Sequence, residues 1–261
     1  MKKTVYLLLA LCMAVVSSCT KTVPASVPAH IEDGMIVLET PAREPGQTTA
    51  LGLTCDPIDT VRVAFVGIGG RGTGAVRRYT QIDGVKIVAL CDEKQERVDI
   101  CNDILAKSGL PTAQGYVGSE AYKELCQRAD IDLVYIATDW LDHVNVAVCA
   151  MENGHHAAIE VPAAMTIEDC WRMVDTSERT RRHCMMLENC CYDFFEMSTL
   201  NMAQQGLFGN VYHVEGAYIH FLAEDWDRSE TWRLDYNMAH RGDNYPTHGL
   251  GPICQVMNIH R

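Results

Sequence analysis

The chain has 261 residues, of which 48% are hydrophobic, so it is long enough to bury one large core or two modest ones. Its formal net charge of −12 argues against a nucleic-acid partner, because phosphate binding needs clustered lysine and arginine side chains. An acidic surface of this kind mainly favours solubility.

The first 18 residues have the features of an export signal. Lys2 and Lys3 precede an apolar run over residues 5–16, which is shorter than the roughly 20 residues that span a bilayer. The run ends in VSSC, which is typical of a bacterial lipobox. We expect cleavage before Cys19, lipid on its thiol, and an exported lipoprotein anchored to a membrane of a bacterial envelope, on its periplasmic or cell-surface side. An ordinary cleaved signal with an accidental cysteine is the alternative.

Residues 19–58 are rich in proline, threonine, alanine and serine and show little periodicity, which predicts a tether or an extended N-terminal arm. Most later cysteines lie in apolar, periodic segments, without a CxxC pair or a zinc-ligand spacing. We expect no disulfide framework and no metal site. The cysteines predicted to be small core residues are Cys91, Cys101, Cys126, Cys149, Cys170, Cys184 and Cys254.

Short apolar runs alternate with helical periodicity from Val61 onwards. Predicted strands cover residues 61–67, 85–92, 131–138, 155–160 and 183–189, and predicted helices cover 69–79, 93–107, 119–128, 140–153 and 166–179. This alternation predicts an α/β fold, a Rossmann-type doubly wound parallel sheet, for a domain at 59–190.

A glycine-rich turn follows the first predicted strand. Gly67, Gly69 and Gly72 fit GxGxxG, in which the glycines allow a tight turn, a close approach to a pyrophosphate and close helix packing. Asp92 ends the next strand, where a carboxylate would bind the ribose hydroxyls and repel a 2′-phosphate, so NAD is favoured over NADP. Arg71 tempers this preference, because a nearby arginine can accept a phosphate.

The pattern changes after residue 190. A helix is predicted at 194–205 and a strand at 211–221, but one strand cannot form a sheet. We therefore expect residues 191–261 to be the start of an α+β substrate domain, and the chain to be a fragment truncated at its C-terminus.

Several motifs resemble a known family. The order of strands and the EVPAA stretch resemble the Gfo/Idh/MocA oxidoreductases, which carry a lysine where this chain has Val161. Valine cannot exchange a proton, so this position cannot supply an acid or a base. The stretches GGRGTG, WLDH, EVPAA, ENCCY, EGAYIH and YPTHGLGP together resemble one branch, glycoside hydrolase family 109.

This resemblance implies an NAD-dependent α-N-acetylgalactosaminidase that acts on glycans with terminal N-acetylgalactosamine. The implied mechanism is oxidation at sugar carbon 3 with NAD, loss of the proton on carbon 2, elimination of the aglycone from carbon 1, water addition and re-reduction. NAD is thus recycled, unlike in the usual scheme with two carboxylates.

The resemblance also assigns site residues. At NAD it places Gly70, Arg71, Asp92, Trp140, Leu141, Asp142, His143, Glu160, Val161 and Asn189. At the sugar it places Tyr218, Arg233, Tyr245, Pro246, Thr247 and His248.

Three residues are the catalytic candidates. Histidine suits acid–base chemistry near neutral pH, which makes His248 the first choice. Tyr245 would hold a sugar hydroxyl or shuttle a proton, and Tyr192 lies at the predicted domain junction. The alternatives are a structural histidine and packed aromatic residues, and for Arg233 an ordinary surface ion pair.

Two other functions remain open at this stage. One is an NAD-dependent sugar dehydrogenase with net redox turnover, which the missing lysine disfavours. The other is an inactive remnant or a sugar-binding component anchored through Cys19. Self-association into a homo-oligomer is left open as well.

Overall fold

The structure is a computed structural model that describes residues 29–38, 41–221, 232–240 and 243–259. The expected signal sequence and Cys19 lie outside these residues. Within them, we find no helix with both the length and the apolar character needed to cross a membrane. The chain divides into two compact units, Met1–Ala42 and Arg43–Arg261, and each is described by itself.

The first unit contains a β-hairpin that the sequence did not predict. Strands β1 (Ala29–Glu32) and β2 (Met35–Leu38) pair antiparallel. Asp33 and Gly34 connect them with positive φ values of 50° and 80°, as a primed two-residue turn requires. The sequence predicts a tether or an extended N-terminal arm over 19–58. The described part of this range contains a hairpin, for which the Asp-Gly dipeptide was the overlooked signal.

The second unit begins with a short segment that is anchored to the rest of the unit. Arg43 donates to both carboxylate oxygens of Glu178, at 2.7 and 2.9 Å. The side chain of Gln47 and the backbone N–H of Ala50 donate to the same carboxylate, which is 3% exposed. Residues 43–50 are thus docked, which the sequence did not indicate, because a charge pair between residues 135 positions apart leaves no local sequence pattern.

The centre of this unit is a six-stranded parallel sheet with the order β5-β4-β3-β6-β7-β8. Its strands are β3 (Val61–Val66), β4 (Val85–Asp92), β5 (Gln114–Val117), β6 (Leu133–Ile136), β7 (His156–Ile159) and β8 (Cys184–Met186). The order reverses between β3 and β6, as in doubly wound sheets. The predicted α/β fold is confirmed.

Helices cover both faces of the sheet. They are α1 (Gly70–Tyr79), α2 (Gln95–Lys107), α3 (Tyr122–Cys126), α4 (His143–Glu152) and α5 (Ile167–Thr180). One buried cluster joins the sheet to α1 and α2, and a second joins it to α3, α4 and α5. The apolar strands are therefore buried from both sides, as parallel sheets require.

The predicted elements differ from the observed ones mainly at their ends and at one strand. The edge strand β5 was missed, because it has only four residues and contains Gly115. The helix predicted at 119–128 shortens to α3. Cys170 is exposed on α5 and is not the core residue expected, whereas Cys91, Cys101 and Cys126 are buried. Every cysteine that the structure describes is unpaired.

The C-terminal part of the unit contains three helices and an irregular stretch at 205–221 within the described residues. A 3₁₀ turn (Asn189–Tyr192) leads into α6 (Phe194–Gln204), followed by α7 (Trp232–Ala239), which was not predicted, and α8 (Pro246–Met257). The strand predicted at 211–221 is wrong: these residues pair with no strand in the described part of the chain. Alternating side chains do not make a strand without a hydrogen-bonded neighbour.

Candidate active site

The glycine turn between β3 and α1 forms a cradle in which Gly67 and Gly72 leave no room for a Cβ. Gly67 has a φ of 79°, and a Cβ there would lie 2.4 Å from the backbone nitrogen of Thr138. A Cβ on Gly72 would lie 2.0 Å from the carbonyl oxygen of Gly67. Gly70, at the start of α1, has open space in front of it. The backbone N–H groups of this helix start are therefore accessible to a pyrophosphate.

The cradle opens into a cleft of about 960 Å³ at the carboxyl edge of the sheet. The predicted site residues that line this cleft are Gly67, Gly69, Gly70, Arg71, Asp92, Trp140, Asp142, His143, Glu160, Val161, Asn189, Tyr218, Arg233, Tyr245 and His248. Residues separated by more than 180 positions thus meet around one space. The cleft is large enough for a dinucleotide-sized ligand and matches the place where such sheets bind one.

Other predicted residues lie outside the lining. Gly72 lies beneath the turn, and Leu141 is 67% exposed. Tyr192 is 64% exposed at the end of the 3₁₀ turn and does not line the cleft, so its position lends no support to a catalytic role. Pro246 and Thr247 form the first turn of α8, where they set the position of the next residue.

The carboxylate at the end of β4 is held by the backbone. Asp92 is 7% exposed, and its oxygens accept the N–H groups of Ile68 at 2.9 Å and Lys94 at 3.1 Å. The arginine beside it is Arg97, whose Nη1 lies 3.4 Å from both oxygens. The expected influence of Arg71 on a 2′-phosphate at this position is not supported by the structure.

Arg71 lines the cleft but contacts residues other than Asp92. Its Nε donates to Glu160 at 2.8 Å, and its Nη2 donates to Asn189 at 3.3 Å. Glu160 is 5% exposed and also accepts the hydroxyl of Tyr135. Burial and this hydrogen bond raise the pKa of Tyr135, so its proton stays in place. Arg71 and Tyr135 together compensate the buried charge of Glu160 next to Val161.

His143 is fixed by backbone groups. It is 1% exposed, and its ring nitrogens lie 2.8 Å from the carbonyl oxygen of Pro162 and 3.2 Å from that of Thr138. Burial lowers the pKa of His143, so the ring is neutral at pH 7 and donates one N–H. These contacts fit a residue that shapes the cleft wall and not one that transfers protons.

The part of the cleft where the sequence places the sugar centres on His248, in the first turn of α8. The residue is 8% exposed, and its Nδ1 lies 2.5 Å from a carboxylate oxygen of Glu188. Its ring stacks on Tyr245 with centroids 5.1 Å apart and contacts Tyr218 edge-on at 4.4 Å. Burial raises the pKa of Tyr245, which keeps its hydroxyl protonated and able to donate. Sequence reasoning missed Glu188, 60 positions from its partner.

An aromatic cluster forms the wall beside these residues. Trp140 is 3% exposed and makes edge-on contacts with Trp232, Tyr236 and Tyr245, with centroids 5.1 to 5.3 Å apart. The guanidinium of Arg233 lies over the rings of Trp140 and Trp232, at 5.3 and 5.1 Å. Cation–π contact therefore holds Arg233, where the sequence left an ordinary ion pair as the alternative.

Two glycines of α8 make this arrangement possible. A Cβ on Gly249 would lie 3.2 Å from the backbone of Gly216, and one on Gly251 would lie 2.7 Å from the sulfur of Cys191. The helix therefore packs closely against the chain that carries Tyr218 and against the 3₁₀ turn. The HGLG sequence thus has a packing reason, which the sequence alone did not reveal.

One group of side chains near His248 has donor atoms suited to a metal. Single ligand atoms of Glu188, Cys190 and His248 lie within 4.8 Å of one another. Burial raises the pKa of Cys190 to about 11, so its sulfur is a thiol at neutral pH when no ion is bound. Glu188 and His248 are joined by a direct hydrogen bond through one carboxylate oxygen, Oε1.

Sequence comparisons place both parts of the second unit. Residues 61–188 match the oxidoreductase family with an NAD-binding Rossmann fold, and residues 192–261 match the C-terminal domain of glycosyl hydrolase 109. The predicted cofactor, NAD, is confirmed by this match. The glycine cradle, the carboxylate of Asp92 and the size of the cleft fit that cofactor.

Curated relatives are closely similar in sequence. The chain is 54% identical over 260 residues to glycosyl hydrolase family 109 protein 5 of Phocaeicola vulgatus, covering 96% of this chain and 50% of that protein. It is 53% identical over 226 residues to an alpha-N-acetylgalactosaminidase of Bacteroides fragilis, covering 84% and 53%. The chain spans about half the length of the curated relatives it matches.

Solved structures show the same fold. Scyllo-inositol dehydrogenase of Lactobacillus casei, solved with NAD(H) and scyllo-inositol, superimposes with a TM-score of 0.63 at 16% identity over 76% of this chain and 56% of that one. Aldose-aldose oxidoreductase of Caulobacter crescentus gives 0.61 at 20% identity over 76% and 58%. From its motifs and these matches, the chain belongs to the glycosyl hydrolase 109 family, built on an NAD-binding Rossmann fold of the Gfo/Idh/MocA type.

Proposed function

We propose that this protein hydrolyses terminal α-N-acetylgalactosamine from glycans, with NAD recycled in each turnover. The observation that carries the proposal is the meeting of a dinucleotide cradle and the His248–Tyr245 pair in one cleft. The similarity to an alpha-N-acetylgalactosaminidase supports the choice of sugar. When bound, NAD supplies reversible oxidation at sugar carbon 3, which acidifies the proton on carbon 2.

The chain's own residues would hold the cofactor and move protons. Gly67 and Gly70 would admit the pyrophosphate, and Asp92 would bind the ribose hydroxyls. His248 would accept a proton from the sugar and return one to the leaving group, and Tyr245 would hold a sugar hydroxyl. The aromatic wall around Trp140 would exclude water from the reacting carbons.

The net reaction consumes one water and produces free sugar and free aglycone, with no net oxidation. An aryl α-N-acetylgalactosaminide tests this balance directly. The proposal predicts aglycone release with no accumulation of NADH, at a rate that depends on bound NAD. A rise in NADH that matches the sugar consumed, without aglycone release, would instead support a sugar dehydrogenase. Valine at position 161 disfavours that second function, since the lysine typical of such enzymes is absent.

We also propose that the protein is an exported lipoprotein, anchored through Cys19. Its support is the sequence alone: a basic start, a short apolar run and VSSC. Mass spectrometry of the protein from a membrane fraction should find a lipid-modified N-terminal cysteine, and Cys19→Ser should release the protein into the soluble fraction. Detection of an unmodified N-terminus at another residue would reject the proposal.

A further inference from the structure

We propose that Glu188 is a positioning residue that fixes the tautomer of His248 and stabilises its imidazolium form during turnover. The proposal rests on the catalytic role given to His248 above. Glu188 follows β8 at the carboxyl edge of the sheet, and His248 lies in the first turn of α8. The fold thus brings together two residues that are 60 positions apart.

Glu188 and His248 are both buried, which makes their hydrogen bond energetically important. Glu188 is 7% exposed and His248 is 8% exposed, and the Nδ1–Oε1 distance is 2.5 Å. The same oxygen accepts the N–H of Cys190 at 3.1 Å, and the other oxygen, Oε2, is buried without a hydrogen-bond partner within the described residues. A buried carboxylate is costly unless a positive or donating group faces it. The imidazole of His248 is the side chain that meets this need.

The hydrogen bond determines where the ring carries its proton. An ionised carboxylate only accepts, so the shared proton belongs to Nδ1. The neutral ring then keeps the lone pair on Nε2, the nitrogen on the far side from Glu188. Because His248 lines the cleft, this tautomer presents an acceptor for a substrate proton. A carboxylate that orients a catalytic histidine has the same two tasks in hydrolytic triads.

The neighbouring tyrosine rings fix the orientation of the His248 imidazole. Tyr245 stacks parallel to the imidazole within 6°, and Tyr218 contacts its edge. A Cβ on Gly251, in the same helix as His248, would lie in van der Waals contact range of Glu188. The ring is therefore held in one orientation, and the carboxylate decides its protonation pattern.

The first test measures the tautomer without any need for turnover. We would record imidazole ¹⁵N shifts of the NAD-bound protein and assign His248 from its absence in His248→Asn. The expected result is a proton on Nδ1 in the native protein and a mixed or reversed tautomer in Glu188→Gln. A native ring with its proton on Nε2, or a ring nitrogen bound to a stoichiometric metal ion that a chelator removes, would overturn the proposal.

The second test separates positioning from folding. Glu188→Gln should slow aglycone release by about 10²- to 10⁴-fold and leave NAD affinity and thermal stability close to native values. Glu188→Asp, which keeps the charge, should recover part of the rate. The matched control is Glu215→Gln, which removes the exposed Glu–His contact with His213 and should not change the rate.

Equal rates for Glu188→Gln and the native protein would refute the role of Glu188. Absence of activity in the native protein would contradict only the proposed function, because the tautomer is measured independently.

Discussion

At the scale of single residues, the cofactor site depends on glycines, whose missing Cβ atoms leave room for close backbone packing. Gly72 has no room for a Cβ, because one would lie 2.0 Å from the carbonyl oxygen of Gly67. Gly74 lies two residues further along α1, and a Cβ there would meet only the flexible end of Arg78, at 3.5 Å. The two glycines therefore differ in purpose although they share one helix, and a matched pair of substitutions separates them.

Gly72→Ala is expected to displace the glycine turn and lower the affinity for NAD by at least about 10-fold, because its methyl group would overlap backbone. Gly74→Ala is the control and should raise stability by up to about 1 kcal/mol, since alanine favours helices over glycine. Isothermal titration with NAD and thermal unfolding would measure both effects. Native NAD affinity in Gly72→Ala would show that the cradle is not used.

At the scale of elements, two contacts attach peripheral segments to the rest of the second unit. The first is the segment at 43–50, whose Arg43 and Gln47 bind the buried carboxylate of Glu178 on α5. The second is α8, whose Gly251 lies against Cys191 in the 3₁₀ turn. Each contact joins parts of the chain that are far apart in sequence.

The Glu178 anchor makes stability depend on pH in a defined direction. The hydrogen bond from Arg43 lowers the pKa of Glu178 from 4.5 to about 2, and burial opposes this shift only in part. A depressed carboxyl pKa contributes stability above pH 4.5 that is lost as the pH falls towards 2. Thermal unfolding should therefore show that Glu178→Gln lowers stability strongly at pH 7 and less below pH 4.5.

Glu152→Gln, which breaks the exposed pair with Arg179, is the control and should lower stability by less than about 1 kcal/mol. A deficit of Glu178→Gln that stays constant with pH would disprove the charge-based anchor.

The packing of α8 predicts a rescue. Gly251→Ala would push its methyl group against Cys191, displace the helix start and slow aglycone release, with little change in NAD affinity. Adding Cys191→Ala removes the sulfur and should restore most of the rate. A double variant as slow as Gly251→Ala alone would show that the Cys191 contact is not the cause.

A feature could be predicted from the sequence when the residues that determine it are close together along the chain. The strands β3 and β4 and the helices α1 and α2 were predicted within two residues, because their hydrophobic periodicity is local. The edge strand β5 was missed because its four residues include Gly115. The Glu188–His248 and Arg43–Glu178 pairs could not be predicted, since nothing in the neighbouring residues of either partner indicates the other.

At the scale of the whole second unit, the parallel sheet explains why one cleft collects the site. The carboxyl ends of β3, β4, β6, β7 and β8 lie at one edge and lead to the glycine turn, Asp92, Thr138, Glu160 and Glu188. The helices α7 and α8 then bring Arg233, Tyr245 and His248 to the same edge. A fold shared with dehydrogenases thus brings ionisable side chains such as His248 to the cleft edge, at positions other than Val161.

The most direct test of the proposed function is the fate of the proton on sugar carbon 2. The protein with bound NAD would hydrolyse an aryl α-N-acetylgalactosaminide in D₂O, and the released sugar would be analysed by NMR and mass spectrometry. Oxidation and elimination require that this proton be removed and replaced, so we predict deuterium on carbon 2 of the product while NADH does not accumulate. Hydrolysis with the original proton retained on carbon 2 would contradict this mechanism and point to direct displacement at carbon 1.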